Sequence, residues 1–403
     1  MGSDALDIHT LMGLGPMAPV ANPYPLYKRL RDESPVLETS HTMDTAVAGN
    51  HRTVLVTRYE DVKTVLGDNE TFGSDIVNRT MGLVMGPTIV GMNGREHLKH
   101  RTLITPSMTP RVLKGDNLPS GIEDIAHEYI DRFIDRGTAD LHEEFFFHFP
   151  LTVFVSVLGL PAEDVDSVHR TACDLCLIAS DPERGVIASE KLVEYLTPIL
   201  QERRENLGDD ILSKLILSEV DGEKLSDYEI ISFLRLLVLA GAETTNHLLG
   251  SVFYQLIRDA ALMEEVRADR SLVPALISET MRWESPISTV IRESLKDTEI
   301  GGVPVEEGVA VQVHIGSANR DERKFEAPDE FRLHREDNDH ISFGFGRHYC
   351  AGSHLAKLEA EIGVNTLLDR LDDITPIAGE PSDIIGFAFR GPDRVPVTFR
   401  KSA

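Results

Sequence analysis

Cysteine is scarce in this chain of 403 residues, which carries only Cys173, Cys176 and Cys350. An odd number of thiols in a long chain without a secretion signal argues against a disulfide framework and for reduced cysteines. Positive charge is also in deficit: Lys and Arg total 40 against 66 Asp and Glu, a net charge of -26. A field of that sign repels nucleic acid and anionic lipid, so no DNA or RNA partner is expected. Long apolar runs are missing too. LTVFVSVLGLP at 151–161 and the segment around FLRLLVLAGA are too short or too interrupted to cross a bilayer, and no membrane anchor is expected. The opening MGSDALD lacks the cationic and apolar regions of a signal peptide, and Leu6 stands where a myristoylation motif has Ser or Thr. A cytoplasmic protein is the expectation.

Hydrophobic residues make up 41% and charged residues 26%, as in globular chains that bury a large core. At ~150 residues per domain the length suggests two or three domains. No Pro-, Gly- or Ser-rich linker, repeat or low-complexity segment marks a boundary, however, so the reading is one domain over residues 1–403. Its class is mainly α with small β-sheets (α+β). Strand-like alternation covers about 36–57, with RTVLVT the clearest strand. Helical periodicity dominates about 59–284, interrupted by TMGLVMGPTIVGMNG at 80–94, a loop by composition. From about 285 to 403 the pattern turns to short strands such as VAVQVHIGS, an irregular charged region from Asn319 to Asp339, a helix after Cys350 and a closing strand in RVPVTF.

The proline-free segment from Tyr228 to about Asp259 predicts one helix through the core. Its centre nevertheless holds Ala240, Gly241, Glu243, Thr244, Thr245 and Asn246. One reading is that Gly241 admits a neighbouring helix and Glu243 faces solvent. The other is that small residues open a groove, while the Thr244 hydroxyl competes for the Ala240 carbonyl and distorts the turn, placing an acid beside an alcohol. Glu279 and Arg282 in ETMR share a helix face, a pairing that is usually exposed and weak. Phe325, Pro328 and Phe331 are anchors in a charged segment whose Arg335 can complete a structural network with Glu279 and Arg282. Cys173 and Cys176 read as buried helix residues, since no second C-x-x-C or histidine cluster accompanies them.

The stretch FGFGRHYCAG, Phe343 to Gly352, concentrates the chemistry. A phosphatase loop needs an arginine six residues after the cysteine, where Ala356 stands. A zinc site from His348, Cys350 and His354 lacks a fourth ligand, and Tyr349 replaces the third glycine of a dinucleotide loop. What remains is a thiol at a helix N-terminus, where the helix dipole and free amides favour the anion and lower the pKa. Glycines allow the backbone to fold beneath it, and the arrangement describes a ligand for a soft metal centre.

With these residues in hand, the chain resembles the cytochrome P-450 family of haem-thiolate monooxygenases. FGFGRHYCAG matches the family's haem loop F-G-x-G-x-H-x-C-x-G at every specified position. AGAETT at 240–245 resembles its oxygen-activating helix, ETMR its E-x-x-R, and Phe325 to Arg335 its meander. The resemblance implies haem b (iron protoporphyrin IX) between the long central helix and the cysteine loop, with Cys350 as axial iron ligand and Phe343, Gly344 and Gly352 shaping the loop. It implies that His97, Arg101, Arg292 and His348 partner the propionates, and that Glu243 and Thr244 deliver protons during oxygen activation.

Substrate contacts are expected from the 80–94 loop, a lid near Cys173, and Leu236, Leu239, Ala240, Ser288, Thr289, Ala388 and Phe389. Together they imply an apolar cavity and a small or medium hydrophobic substrate, most simply hydroxylated with O2. No flavin or iron-sulfur segment is attached, so a ferredoxin and ferredoxin reductase are expected as separate chains, docking on a local basic patch at Arg347 and Lys357. The oligomeric expectation is a monomer. A peroxide-driven enzyme or a non-catalytic haem sensor is the alternative, against which the Glu243 and Thr244 pair counts.

Overall fold

The two clearest β-branched stretches, RTVLVT and VAVQVH, lie far apart in sequence and pair with each other. The computed structural model describes residues 18–39, 52–113, 115, 118–161, 165–175, 177 and 181–402. MGSDALD, Cys176 and residues 40–51 of the expected strand region lie outside the described residues. Strands β1 (Val36–Thr39), β2 (Thr53–Val56), β3 (Phe72–Gly73), β4 (Val290–Ser294) and β5 (Ala310–Val313) form one sheet in the order β1-β2-β5-β4-β3. β5 runs parallel to β2, with Ala310 opposite Thr53, and the other neighbours are antiparallel. Val54, Val56, Val311 and Val313 are buried and pack with Tyr59, Val62 and Phe325 as a core of their own.

Helices carry the larger core. Those that matter for the site are α1 (Gly94–Ile104), α2 (Phe149–Leu158), α3 (Asp227–Leu256), α4 (Val273–Trp283) and α5 (Ser353–Arg370). α3 starts at a capping box: Ser226 N–H donates to Glu229 at 2.8 Å, and Glu229 N–H donates to the Ser226 hydroxyl at 3.3 Å. Its 30 residues span ~45 Å at 1.5 Å per residue. From Ile230 to Leu239 every residue is buried, as the all-round hydrophobicity requires. Gly241 admits α2, since a Cβ there would stand 2.6 Å from the Phe154 ring.

Two expectations change. The 80–94 stretch is not all loop, because Gly82–Met85 closes a single helical turn. The helical range also contains strands too short to show alternation: Thr138–Asp140 pairs with Pro396–Lys401, and Glu219–Val220 pairs with Glu223–Lys224. None of the helices is long and apolar enough to cross a membrane among the described residues.

The E-x-x-R pair departs furthest from its expectation as a weak surface contact. Glu279 and Arg282 are both 0% exposed. The Arg282 guanidinium donates to both Glu279 oxygens at 2.8 Å, and Arg335 Nε approaches both at 3.1 Å. Arg332 N–H and the Asn338 amide complete the shell around the carboxylate. The remaining Arg282 donors reach the carbonyls of Asn319, Pro328 and Glu330, so one buried ion cluster pins the irregular region to α4. Phe325 lies beneath the Arg282 guanidinium, and Phe331 packs edge-on to Trp283. Glu279→Gln keeps the volume and leaves two guanidiniums buried without countercharge. It is expected to cost about 3–5 kcal/mol in urea unfolding, and a loss below about 1 kcal/mol would show that the cluster is replaceable.

Candidate active site

The cysteine loop is built by glycine. Gly344 and Gly346 take φ of +76 and +71, and a Cβ on Gly346 would lie 2.8 Å from the Leu66 carbonyl oxygen. These turns bring Cys350 N–H to the Phe343 carbonyl at 2.8 Å, immediately before α5. The amides of Gly352 and Ser353 and the Arg101 guanidinium act to lower the thiol pKa, as expected at a helix N-terminus. Burial nevertheless outweighs them and pushes the Cys350 thiol up, which corrects the expectation of a net depression. The side chain is reachable by solvent yet sits deep among neighbouring atoms. The thiolate therefore needs a further positive partner, as a metal ion would be.

Around this loop the structure brings together all four expected anion-binding residues. His97 and Arg101 lie one turn apart on α1, Arg292 on β4 and His348 in the turn Gly346–His348. The rings of His97 and His348 have centroids 4.1 Å apart, and Arg101 donates to the Tyr349 carbonyl. His97 is 1% exposed, and neither ring nitrogen has a partner. Burial, then Arg101, Arg347, Arg292 and His100, push it down to about 4. His348 is pushed down to about 3 by burial, Arg292, His97, Arg101 and Arg347. Burial alone holds Arg292 at about 10.

Among the described residues, no carboxylate is among the main groups acting on these four. The buried Arg292 guanidinium and the orphaned His97 imidazole fit a ligand bearing anionic groups. The position a Cβ would take on Gly352 faces open space, as a planar group beside the loop requires. The residues present therefore fit haem.

On α3, Ala240 is exposed although Ile230 to Leu239 before it are buried, and Leu236 and Leu239 are each 7% exposed. The Thr244 hydroxyl donates to the Ala240 carbonyl at 2.9 Å, the expected back-bond, without interrupting the helix. Glu243 does not face solvent. One carboxylate oxygen lies 3.0 Å from His247 Nε2, and the other accepts from the Cys173 thiol at 3.5 Å. Cys173 lies on the helix Val165–Leu175.

The other expected pocket residues meet in one place. Ser288 N–H donates to the Ala388 carbonyl at 2.7 Å, and Ile287 bridges Phe389. The Thr289 hydroxyl is tied to the Val313 carbonyl, and the Ser288 hydroxyl is buried against Gly316, 2.6 Å from where a Cβ there would stand. Both hydroxyls are thus occupied in packing, which leaves Ala388 and Phe389 as the apolar surface of this corner.

Sequence reasoning missed three groups. Arg235 on α3 is 4% exposed and donates to Val84 O and Met85 O, each at 2.6 Å, and to the Ser189 hydroxyl at 2.7 Å. It clips the 80–94 stretch and the helix Pro182–Glu205 to the central helix. A lone cation in FLRLLVLAGA is the signal that marked it. Glu359 on α5 is 2% exposed, and burial raises its carboxyl well above the ordinary value, against a hydrogen bond from Thr245 that acts to lower it. The third group is His247 with His142. His247 stands one helical turn after Glu243, a legible spacing, whereas His142 is distant in sequence.

Comparison with known proteins agrees with this geometry. The cytochrome P450 family profile matches residues 175–386. Cytochrome P450 107B1 of Saccharopolyspora erythraea is 35% identical over 85% of this chain and 88% of its own length. Cytochrome P450 CYP109Q5 from Chondromyces apiculatus superposes with a TM-score of 0.83 at 33% identity, covering 95% of this chain and 96% of that one. CYP109E1 from Bacillus megaterium, solved with testosterone, gives 0.85 at 28% identity, covering 94% and 97%. A cysteine loop ringed by His97, Arg101, Arg292 and His348, in a chain this similar to those proteins, places it in the cytochrome P450 family of haem b-dependent monooxygenases.

Proposed function

We propose that this protein inserts one oxygen atom of O2 into a small or medium hydrophobic molecule, as a hydroxylation. Electrons come from a ferredoxin and a ferredoxin reductase on separate chains. The observation that carries the reading is the set His97, Arg101, Arg292 and His348 around Cys350, with His97 and Arg292 buried and, among the described residues, no carboxylate among the main groups acting on it. In this reading the protein is a cytoplasmic monomer and folds as one domain.

Each residue then has a task. Cys350 ligates the haem iron, and Phe343, Gly344 and Gly352 shape the loop around it. His97 and His348, neutral at pH 7, donate ring N–H groups to the propionates, while Arg101 and Arg292 supply charge. Haem, when bound, supplies the oxygen-activating redox chemistry. Leu236, Leu239, Ala240, Ala388 and Phe389 offer the substrate apolar surface, and the segments clipped by Arg235 exclude water above it. Thr244 holds its hydroxyl at the edge of the groove, and Glu243 stores the proton that passes toward it. Testosterone bound to CYP109E1 is a hydrophobic molecule of the expected size, which supports the substrate class.

Testosterone and a panel of apolar molecules, added to the haem-loaded protein, are expected to shift the Soret band. With ferredoxin, reductase and labelled dioxygen, one labelled atom is expected in the product. Turnover on peroxide alone, indifferent to electron supply, would replace the reading with the peroxide-driven one.

Arg292→Gln is expected to weaken haem binding roughly 10–100-fold, the loss of one charge-assisted hydrogen bond to a propionate. Unchanged haem affinity would remove Arg292 from the site. For electron entry, Arg347 and Lys357 are exposed on the cysteine side, with Lys357 Nζ 5.2 Å from the centre of the Phe343 ring. Reversing both charges is expected to slow reduction by ferredoxin and to flatten its salt dependence. Unchanged rates would place the docking surface elsewhere.

A further inference from the structure

Glu243 belongs to a polar cluster on α3 that includes His247 and Asn246 and continues to His142. Glu243 and His247 side chains are each 13% exposed and stand 3.0 Å apart. His247 Nδ1 is buried without a hydrogen-bond partner. On the next face of α3, the Asn246 amide lies 3.4 Å from His142 Nε2. His142 opens the π-helical turn His142–Phe146 and is partly exposed. Its neighbour Glu143 is on the surface, paired with Arg170 at 3.5 Å. Acid, imidazole and imidazole are thus stepped from the centre of α3 to the outside.

We propose that His247 resupplies protons to Glu243 and that His142 is the outer station of this relay. The reading rests on Glu243 as the proton store of the proposed reaction. When Glu243 gives up its proton toward Thr244, Nδ1 of the His247 ring accepts a proton drawn through His142 from solvent while its Nε2–H passes to the Glu243 carboxylate. Exchange of the remaining ring proton from Nδ1 to Nε2 then restores His247. Each cycle moves one proton inward and leaves the three groups as they began. His247 acts through Glu243 and is a positioning residue.

The charges around the relay suit this traffic. Glu243 faces His247 from the same helix, and Cys173 approaches the carboxylate from the helix Val165–Leu175. Asp140, Glu143 and Glu243 favour the charged form of His142, while burial and His247 disfavour it more strongly, so its pKa is lowered. A ring that gives up its proton readily is suited to pass it on. Gly391 lies against the His247 ring and brings no charge, and its neighbour Arg390 is engaged with Glu284 at 2.6 Å.

The test uses the haem-loaded protein in its reduced, carbon-monoxide-bound form, which is diamagnetic and allows histidine ring NMR. The His247 ring resonances are expected to move in Glu243→Gln and in His142→Gln. His247→Gln can still donate to Glu243 but cannot carry a proton. With ferredoxin, reductase, NADPH and testosterone, it is expected to raise peroxide released per dioxygen consumed about tenfold and to flatten its pH dependence. A His247 ring indifferent to Glu243→Gln, or His247→Gln with wild-type peroxide release at every pH, would overturn the relay. Glu243→Gln with wild-type release would instead remove Glu243 as the proton store. Unaltered Glu243 behaviour can therefore be told apart from failure of His247 alone.

Discussion

Gathering two arginines and two imidazoles around one thiol, with no carboxylate among the main groups acting on them among the described residues, is the constraint on which the site depends. Such a set is costly by itself. His97 keeps both ring nitrogens unpartnered, and burial lowers the pKa of Arg292 to about 10. Its cost is offset by a ligand that carries negative groups at its rim and a positive metal at its centre, which the haem of this family does. The same ligand reverses the electrostatics at Cys350, whose thiol burial alone pushes the wrong way for a metal-binding thiolate.

Holding that set in place requires rigidity in parts of the chain that have little regular structure. The irregular region before the cysteine loop is fixed by the fully buried Glu279, Arg282 and Arg335 cluster and by carbonyls that accept from both arginines. On the opposite side, Arg235 ties two separate segments to the central helix. Buried guanidiniums thus do structural work at both ends, since one planar group can bind several carbonyls that no helix or strand would satisfy.

What was legible in the sequence follows the range of each interaction. The back-bond from Thr244 to Ala240, the helix through the core and the loop ending in Cys350 depend on neighbours within a few residues. The sequence pattern anticipated all three. The meander network was accessible because Phe325, Pro328, Phe331 and Arg335 share one short segment. By contrast, Asn246 meeting His142, Arg235 reaching Val84 and the close approach of the His97 and His348 rings are tertiary contacts without a local pattern. The direction of the Cys350 shift was misjudged for the same reason. Helix polarity is written locally, whereas desolvation is set by everything that packs around the sulfur. Ser288 and Thr289 were expected to meet substrate; backbone pairing sets Ser288 against Ala388, and the Thr289 hydroxyl is tied to the Val313 carbonyl.

The central claim is that one soft anionic ligand and a ring of propionate partners define this site. X-ray absorption at the iron edge of the haem-loaded protein tests it most directly. The account predicts a sulfur neighbour in the iron's first coordination shell that disappears in Cys350→His while the porphyrin nitrogens remain. An iron surrounded only by nitrogen and oxygen in the correctly folded wild-type protein would contradict it.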